Sequence, residues 1–128
     1  MTDHELLNLA IRASEHAYAP YSCFKVGAAL ECEKGRVFTG CNVENGALGS
    51  TICAERVAIC KAVSEGETKF TRIAIYADSA DYCMPCGTCR QVMSEFSQDM
   101  EVLSANGAGS YVSYRLDQLL PHTFKLRS

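Results

Sequence analysis

Apolar residues recur along this chain with two different periods, and the switches between them mark its elements. Thr2-Asp3-His4-Glu5 has the form of a helix capping box, and Leu6, Leu7, Ala10, Ile11 and Ala17 follow at near-helical spacing. The predicted helix ends before Pro20, because the residue preceding a proline is disfavoured in the helical region. Two β-rich runs come next, Phe24 to Cys32 and Arg36 to Val43, with Glu33, Lys34 and Gly35 between them. They predict a hairpin. From Cys53 the period lengthens again: Ala54, Val57, Ala58, Cys60, Ala62 and Val63 suit a largely buried helix, with Gly66 where a C-cap belongs. "FTRIAIYAD" is a short, nearly continuous apolar strand. A helix over Cys86 to Phe96 follows the break at Pro85 and Gly87, then the strands "EVLSA" and "SYVSYR" flank the turn "NGAG". "RLDQLLPHTF" predicts a last short helix stopped at Pro121. The order α-β-β-α-β-α-β-β-α points to an α/β fold in which helices cover a mixed sheet.

Composition narrows the function classes. The 128 residues, 48% of them apolar, suffice for one domain spanning 1–128 with its own core, so folding needs no disulfides. The opening MTDHELLNLA lacks the charged, apolar and small-residue series of a secretory signal. The eight cysteines are therefore expected as reduced thiols in the cytoplasm. A formal charge of −3 and no run of Lys and Arg argue against a nucleic-acid partner. No apolar stretch approaches the roughly twenty residues that cross a bilayer, so no membrane partner is expected.

The candidate chemistry sits at two helix starts, "CAER" at 53–56 and "PCGTC" at 85–89. Thiolates bind zinc at about 2.3 Å, and a C-x-x-C pair at a loop-to-helix junction lets two sulfurs converge on one ion. Helix N-termini favour the thiolate form through their free amides. If the two starts face each other, Cys53, Cys86 and Cys89 supply three ligands and leave the fourth tetrahedral position open to water, the catalytic rather than the structural arrangement. Glu55, in the first turn beside Cys53, could then move protons without being a ligand. Three thiolates overcompensate the ion's charge, and Arg56 is placed to offset them. Cys83 forms a second C-x-x-C with Cys86, so spacing alone leaves the ligand pair ambiguous; Cys86 and Cys89 are preferred because Pro85 precedes one and the other enters the helix.

These two segments together resemble the cytidine deaminase family of zinc nucleoside deaminases. "AYAPYSCFKVGAAL" at 17–30, "GCNVEN" at 40–45 and "LLPHTF" at 119–124 are also similar to that family, so the resemblance runs over most of the chain in order. A cysteine in the first ligand position resembles its small homotetrameric branch. The resemblance implies a three-layer α/β/α fold, a mixed five-stranded sheet with helices on both faces, one Zn²⁺ per chain, and hydrolytic deamination of cytidine and 2′-deoxycytidine in pyrimidine salvage, with water as co-substrate. It implies Cys53, Cys86 and Cys89 as ligands, Glu55 as proton shuttle and Arg56 as the charge-compensating residue. Asn42 and Glu44 match residues that hydrogen-bond the ribose, and two residues apart on an extended segment face the same way. Phe24 matches an aromatic on the pyrimidine ring, Ala54 a backbone amide contacting its carbonyl, and Phe124 an aromatic that reaches a neighbouring subunit's site. The chain departs from the family at Leu48 and Gly49, where a tyrosine near the sugar is common.

Other readings remain beside this one. Another cytosine nucleoside, such as the blasticidin S class, could be the substrate. Cys83 as a fourth thiolate would make a purely structural zinc module, and Cys86 with Cys89 could form a redox pair. Cys23, Cys32, Cys41 and Cys60 are expected as small buried hydrophobes, and His4, His16 and His122 show no ligand spacing.

Overall fold

The computed structural model describes residues 1–126. The first helix, α1 (Asp3–Ser14), begins as its capping box requires: the Thr2 hydroxyl accepts from the Glu5 amide and the Glu5 carboxylate accepts from the Thr2 amide, both at 3.1 Å. The remaining elements are β1 (Val26–Cys32), β2 (Val37–Cys41), α2 (Ala54–Ser64), β3 (Phe70–Ala77), α3 (Gly87–Phe96), β4 (Glu101–Ala105), β5 (Tyr111–Arg115) and α4 (Leu116–Leu119). One sheet runs in the order β2-β1-β3-β4-β5, antiparallel except for the parallel pair β3 and β4.

Successive strand residues point to opposite faces, and the sequence fills both faces with apolar groups. Ala29, Ala74 and Leu103 meet Leu6, Leu7 and Ala10 of α1. On the other side Ala28, Leu30, Ile73, Ile75 and Val102 pack with Ala58, Ile59 and Ala62 of α2 and with Met93 of α3. The three-layer arrangement with helices on both faces is thus borne out. Arg72 pins the start of α1 to the sheet, reaching Asp3 at 2.6 Å and Glu31 at 2.7 Å.

Connectivity decides where the chemistry can go. α2 returns through a short turn into β3, so it runs antiparallel to that strand and its N-terminus lies at the strand's C-terminal end. α3 leaves that same end to make the crossover to parallel β4. Two helix N-termini therefore meet at the C-terminal end of β3, the central strand of the sheet.

The boundaries differ from the predicted ones in ways that matter there. The first strand begins at Val26 rather than Phe24, and the second ends at Cys41 rather than Val43. The Asn42 side chain takes the Phe24 carbonyl and the Val26 amide out of regular pairing, while Val43 bridges to Tyr18 and Ile52 instead. The first helix stops at Ser14, and the last spans only Leu116–Leu119. A 3₁₀ turn, Leu48–Ser50, was not predicted at all. Gly66 lies one residue beyond the C-cap Glu65, at φ 90°, where the Gly66 and Glu67 amides bond the Val63 and Ala62 carbonyls. That is a Schellman ending, which needs the left-handed conformation glycine adopts without strain.

Gly40 sets the closeness of α2 to the sheet. A Cβ there would lie 2.4 Å from the Ala54 carbonyl oxygen and 2.6 Å from the Ala58 nitrogen, both backbone atoms. Gly40→Ala is expected to push the first turn of α2 outward, lowering stability by about 1–3 kcal/mol and weakening metal binding at Cys53. Denaturant unfolding and a zinc competition titration check the two effects.

Candidate active site

Cys53 is the N-cap of α2 and Cys86 the N-cap of α3, so each sulfur leaves the chain where a helix begins. The Cys53 sulfur caps no amide of its own helix, whereas Cys86 Sγ accepts from the Cys89 amide at 3.4 Å. Cys89, one turn into α3, is fully buried. The three sulfurs lie within 4.8 Å of one another. Sulfurs on a tetrahedron around zinc at about 2.3 Å stand about 3.8 Å apart, so this donor set fits the ion with little adjustment. Cys83 is not in the cluster, and burial pushes its thiol up to about 12.

Charge in the cluster favours a thiolate at Cys53. A hydrogen bond from the Cys89 thiol and the nearby Arg56 guanidinium hold Cys53 down at about 5, and the same hydrogen bond pushes Cys89 upward. Arg56 Nη2 donates to Cys53 Sγ at 3.4 Å and reaches the Thr51 carbonyl at 3.5 Å, and contact with the thiolates raises its own pKa. Its Nε is buried with no hydrogen-bond partner among the described residues.

Glu55 follows Cys53 by two residues and is 4% exposed. Burial is the main cause that pushes its carboxyl up to about 7; the Cys53 charge adds to it, and hydrogen bonds to its own backbone and to Cys89 pull the other way. Ala54, also buried, opens α2, where backbone amides have no intrahelical acceptor.

A second strip lies alongside. Val43 and Ile52 exchange both backbone hydrogen bonds at 2.9 Å, which sets Asn42-Val43-Glu44 one strand spacing from the residue preceding Cys53. Asn42 donates to the Phe24 carbonyl at 2.7 Å and accepts from the Val26 amide at 2.9 Å. Glu44 Oε1 accepts from the Tyr21 and Ser22 amides at 3.0 and 3.1 Å, and the Ser22 hydroxyl donates to Oε2. These donors lower the Glu44 pKa, the Ser22 hydroxyl most of all. Phe24 stands beside them, 45% exposed.

Phe124 does not join the site of its own chain. It is 70% exposed and lines a shallow groove with Ser94, Glu95 and Gln98. Gln91 holds it there, donating to the Phe124 carbonyl at 2.9 Å and accepting from its amide at 3.3 Å. Leu48 is exposed on the 3₁₀ turn, with Gly49 next to it. Sequence reading passed over Gln91 and Arg90; the latter ties the Pro85 carbonyl at 2.8 Å to the Leu119 carbonyl at 3.0 Å. Both act on backbone atoms, which leave no signature in the residue pattern. Ser22 was also missed, although a serine two residues before Phe24 is a signal for a local side-chain turn.

Fold and site together define a class: an α/β/α sandwich with a three-cysteine cluster able to hold a metal ion at two helix N-termini and a buried carboxylate beside it. Residues 1–105 match the family model described as the cytidine and deoxycytidylate deaminase zinc-binding region. A cytidine deaminase of Halalkalibacterium halodurans is 46% identical over 120 residues, covering 93% of this chain and 91% of its own. One from Sporosarcina psychrophila is 44% identical over 125 residues, covering 97% and 92%. The crystal structure of cytidine deaminase from Burkholderia pseudomallei superposes with a TM-score of 0.94 at 45% identity, covering 97% of this chain and all of that one. The chain belongs to the cytidine and deoxycytidylate deaminase family.

Proposed function

We propose that this protein is a zinc-dependent cytidine deaminase, converting cytidine and 2′-deoxycytidine with water to uridine and 2′-deoxyuridine, and releasing ammonia. The observation that carries this is the convergence of the Cys53, Cys86 and Cys89 sulfurs beside buried Glu55. Cys53, Cys86 and Cys89 would hold the zinc ion, which would supply the Lewis acidity that makes water a nucleophile at neutral pH. Glu55 takes one proton from the water that adds to C4 and delivers it to N3 of the ring, then passes the hydroxyl proton of the C4 adduct to the amino group, so that the C4–N bond breaks, the C4 carbonyl forms and ammonia leaves. Arg56 offsets the thiolate charge. The Ala54 amide donates to the base carbonyl, and Phe24 covers the ring.

Lone-pair accounting supports the sugar contact. Glu44 has three acceptor positions occupied, leaving one, and Asn42 keeps one amide hydrogen and one acceptor position. The pair therefore suits a single hydroxyl that donates to Glu44 and accepts from Asn42. A second sugar hydroxyl has no assigned partner, so ribose and deoxyribose substrates are expected to differ by less than about tenfold in kcat/KM.

The enzyme acts as a single domain in the cytoplasm and as a homotetramer, with Phe124 of each chain serving a neighbour's site. Exposed Tyr21, Phe24, Leu48, Ile52 and Leu126 support burial against other copies, and among the described residues no helix is long and apolar enough to cross a membrane. Four chains of 14.0 kDa should elute at about 56 kDa. The functional test is the ultraviolet change on loss of the 4-amino group. Turnover of both nucleosides is expected; zinc-loaded protein inert toward them would leave another cytosine compound or a structural metal.

A further inference from the structure

We infer that Ser22 is a positioning residue for the nucleoside, its hydroxyl fixing the Glu44 carboxylate and the Phe24 backbone relative to each other. The inference rests on the reading of Glu44 and Phe24 as sugar and base contacts. The Ser22 hydroxyl donates to Glu44 Oε2 and accepts from the Phe24 amide at 3.0 Å, so one oxygen joins the two. The Phe24 carbonyl is held from the other side by Asn42. Phe24 is thus gripped on both faces of its backbone by the residues that frame the sugar.

Two further observations show that this bracket must be built rather than inherited from secondary structure. Tyr21 to Lys25 lies in no helix or strand, and Cys23 within it sits at φ 59°. A non-glycine residue stays in that left-handed region only where its surroundings fix the turn. The serine bonds across Cys23, from residue 22 to residue 24, and so closes that turn. The half-buried Glu44 carboxylate is held by its two amide donors at Oε1 alone, and the Ser22 hydroxyl is the group that holds Oε2. Ser22 touches neither the cysteine cluster nor Glu55 among its hydrogen-bond partners, so its effect falls on binding and not on proton transfer.

The test is a kcat and KM comparison for cytidine among wild type, Ser22→Ala and Ser22→Thr, with zinc content and melting temperature measured alongside. Ser22→Ala is expected to raise KM roughly tenfold with kcat within about twofold, the effect of losing one hydrogen bond to a charged group. Ser22→Thr, which keeps the hydroxyl, is expected to restore KM to within about threefold of wild type. An unchanged KM in Ser22→Ala, a loss confined to kcat, or equal damage in both variants overturns the inference while leaving the deaminase reading intact. A wild-type protein inert toward cytidine overturns both, and is seen before either variant is made.

Discussion

Glu55→Gln is expected to keep zinc and the fold while losing cytidine turnover by about a thousandfold or more. Glutamine has the shape of the carboxyl but cannot take up and return a proton. General acid–base catalysis by one positioned group contributes about 10²–10⁴ in rate, and Glu55 is asked to serve both ring nitrogen and leaving amine, which places the loss at the upper end. Stability should not fall, because a 4% exposed carboxyl is costly to ionise and a neutral amide relieves that cost. Steady-state kinetics with metal analysis on the same preparation separates the two effects. A variant with normal zinc and substantial turnover would remove Glu55 from the chemistry.

The second large effect is on the metal. Cys89→Ser is expected to weaken zinc binding by well over the 10–100-fold typical of losing a residue that merely supports a ligand, and to abolish activity with it. Serine at this fully buried position adds a poorly partnered hydroxyl, which costs about 1–3 kcal/mol. Cys83→Ser is the informative contrast. Its sulfur lies outside the cluster, so zinc should remain stoichiometric and turnover near normal. Zinc lost on replacing Cys83 would instead mean a closed four-thiolate structural site. Metal analysis after brief exposure to a chelator distinguishes these outcomes.

Local rules made much of this legible from residues alone. The capping box at Thr2 and Glu5 and the periodic runs after Cys53 and Cys86 specify their helices from contacts within a few residues, and those helices form. What sequence could not settle depended on partners distant in the chain. Spacing could not separate Cys83 from Cys89 as the partner of Cys86; that required knowing which sulfurs face Cys53. The strand ends at Phe24 and Val43 were drawn too long because the Asn42 amide competes for backbone groups 16 and 18 residues away. Arg90, Gln91 and Ser22 looked like ordinary polar positions, since their partners include backbone atoms whose location only the fold supplies. The clustering of Cys53, Cys86 and Cys89 near Glu55 was legible because two helix starts announce it; the supporting framework was not.

The most direct measurement is mass spectrometry of the product formed from cytidine by the zinc-loaded protein in ¹⁸O-enriched water. Hydrolytic deamination places one water oxygen on C4 as the amino group leaves, so uridine carrying one heavy oxygen is expected, with one ammonia per uridine. Absence of uridine, or uridine without the label, would contradict attack by water at this three-cysteine site.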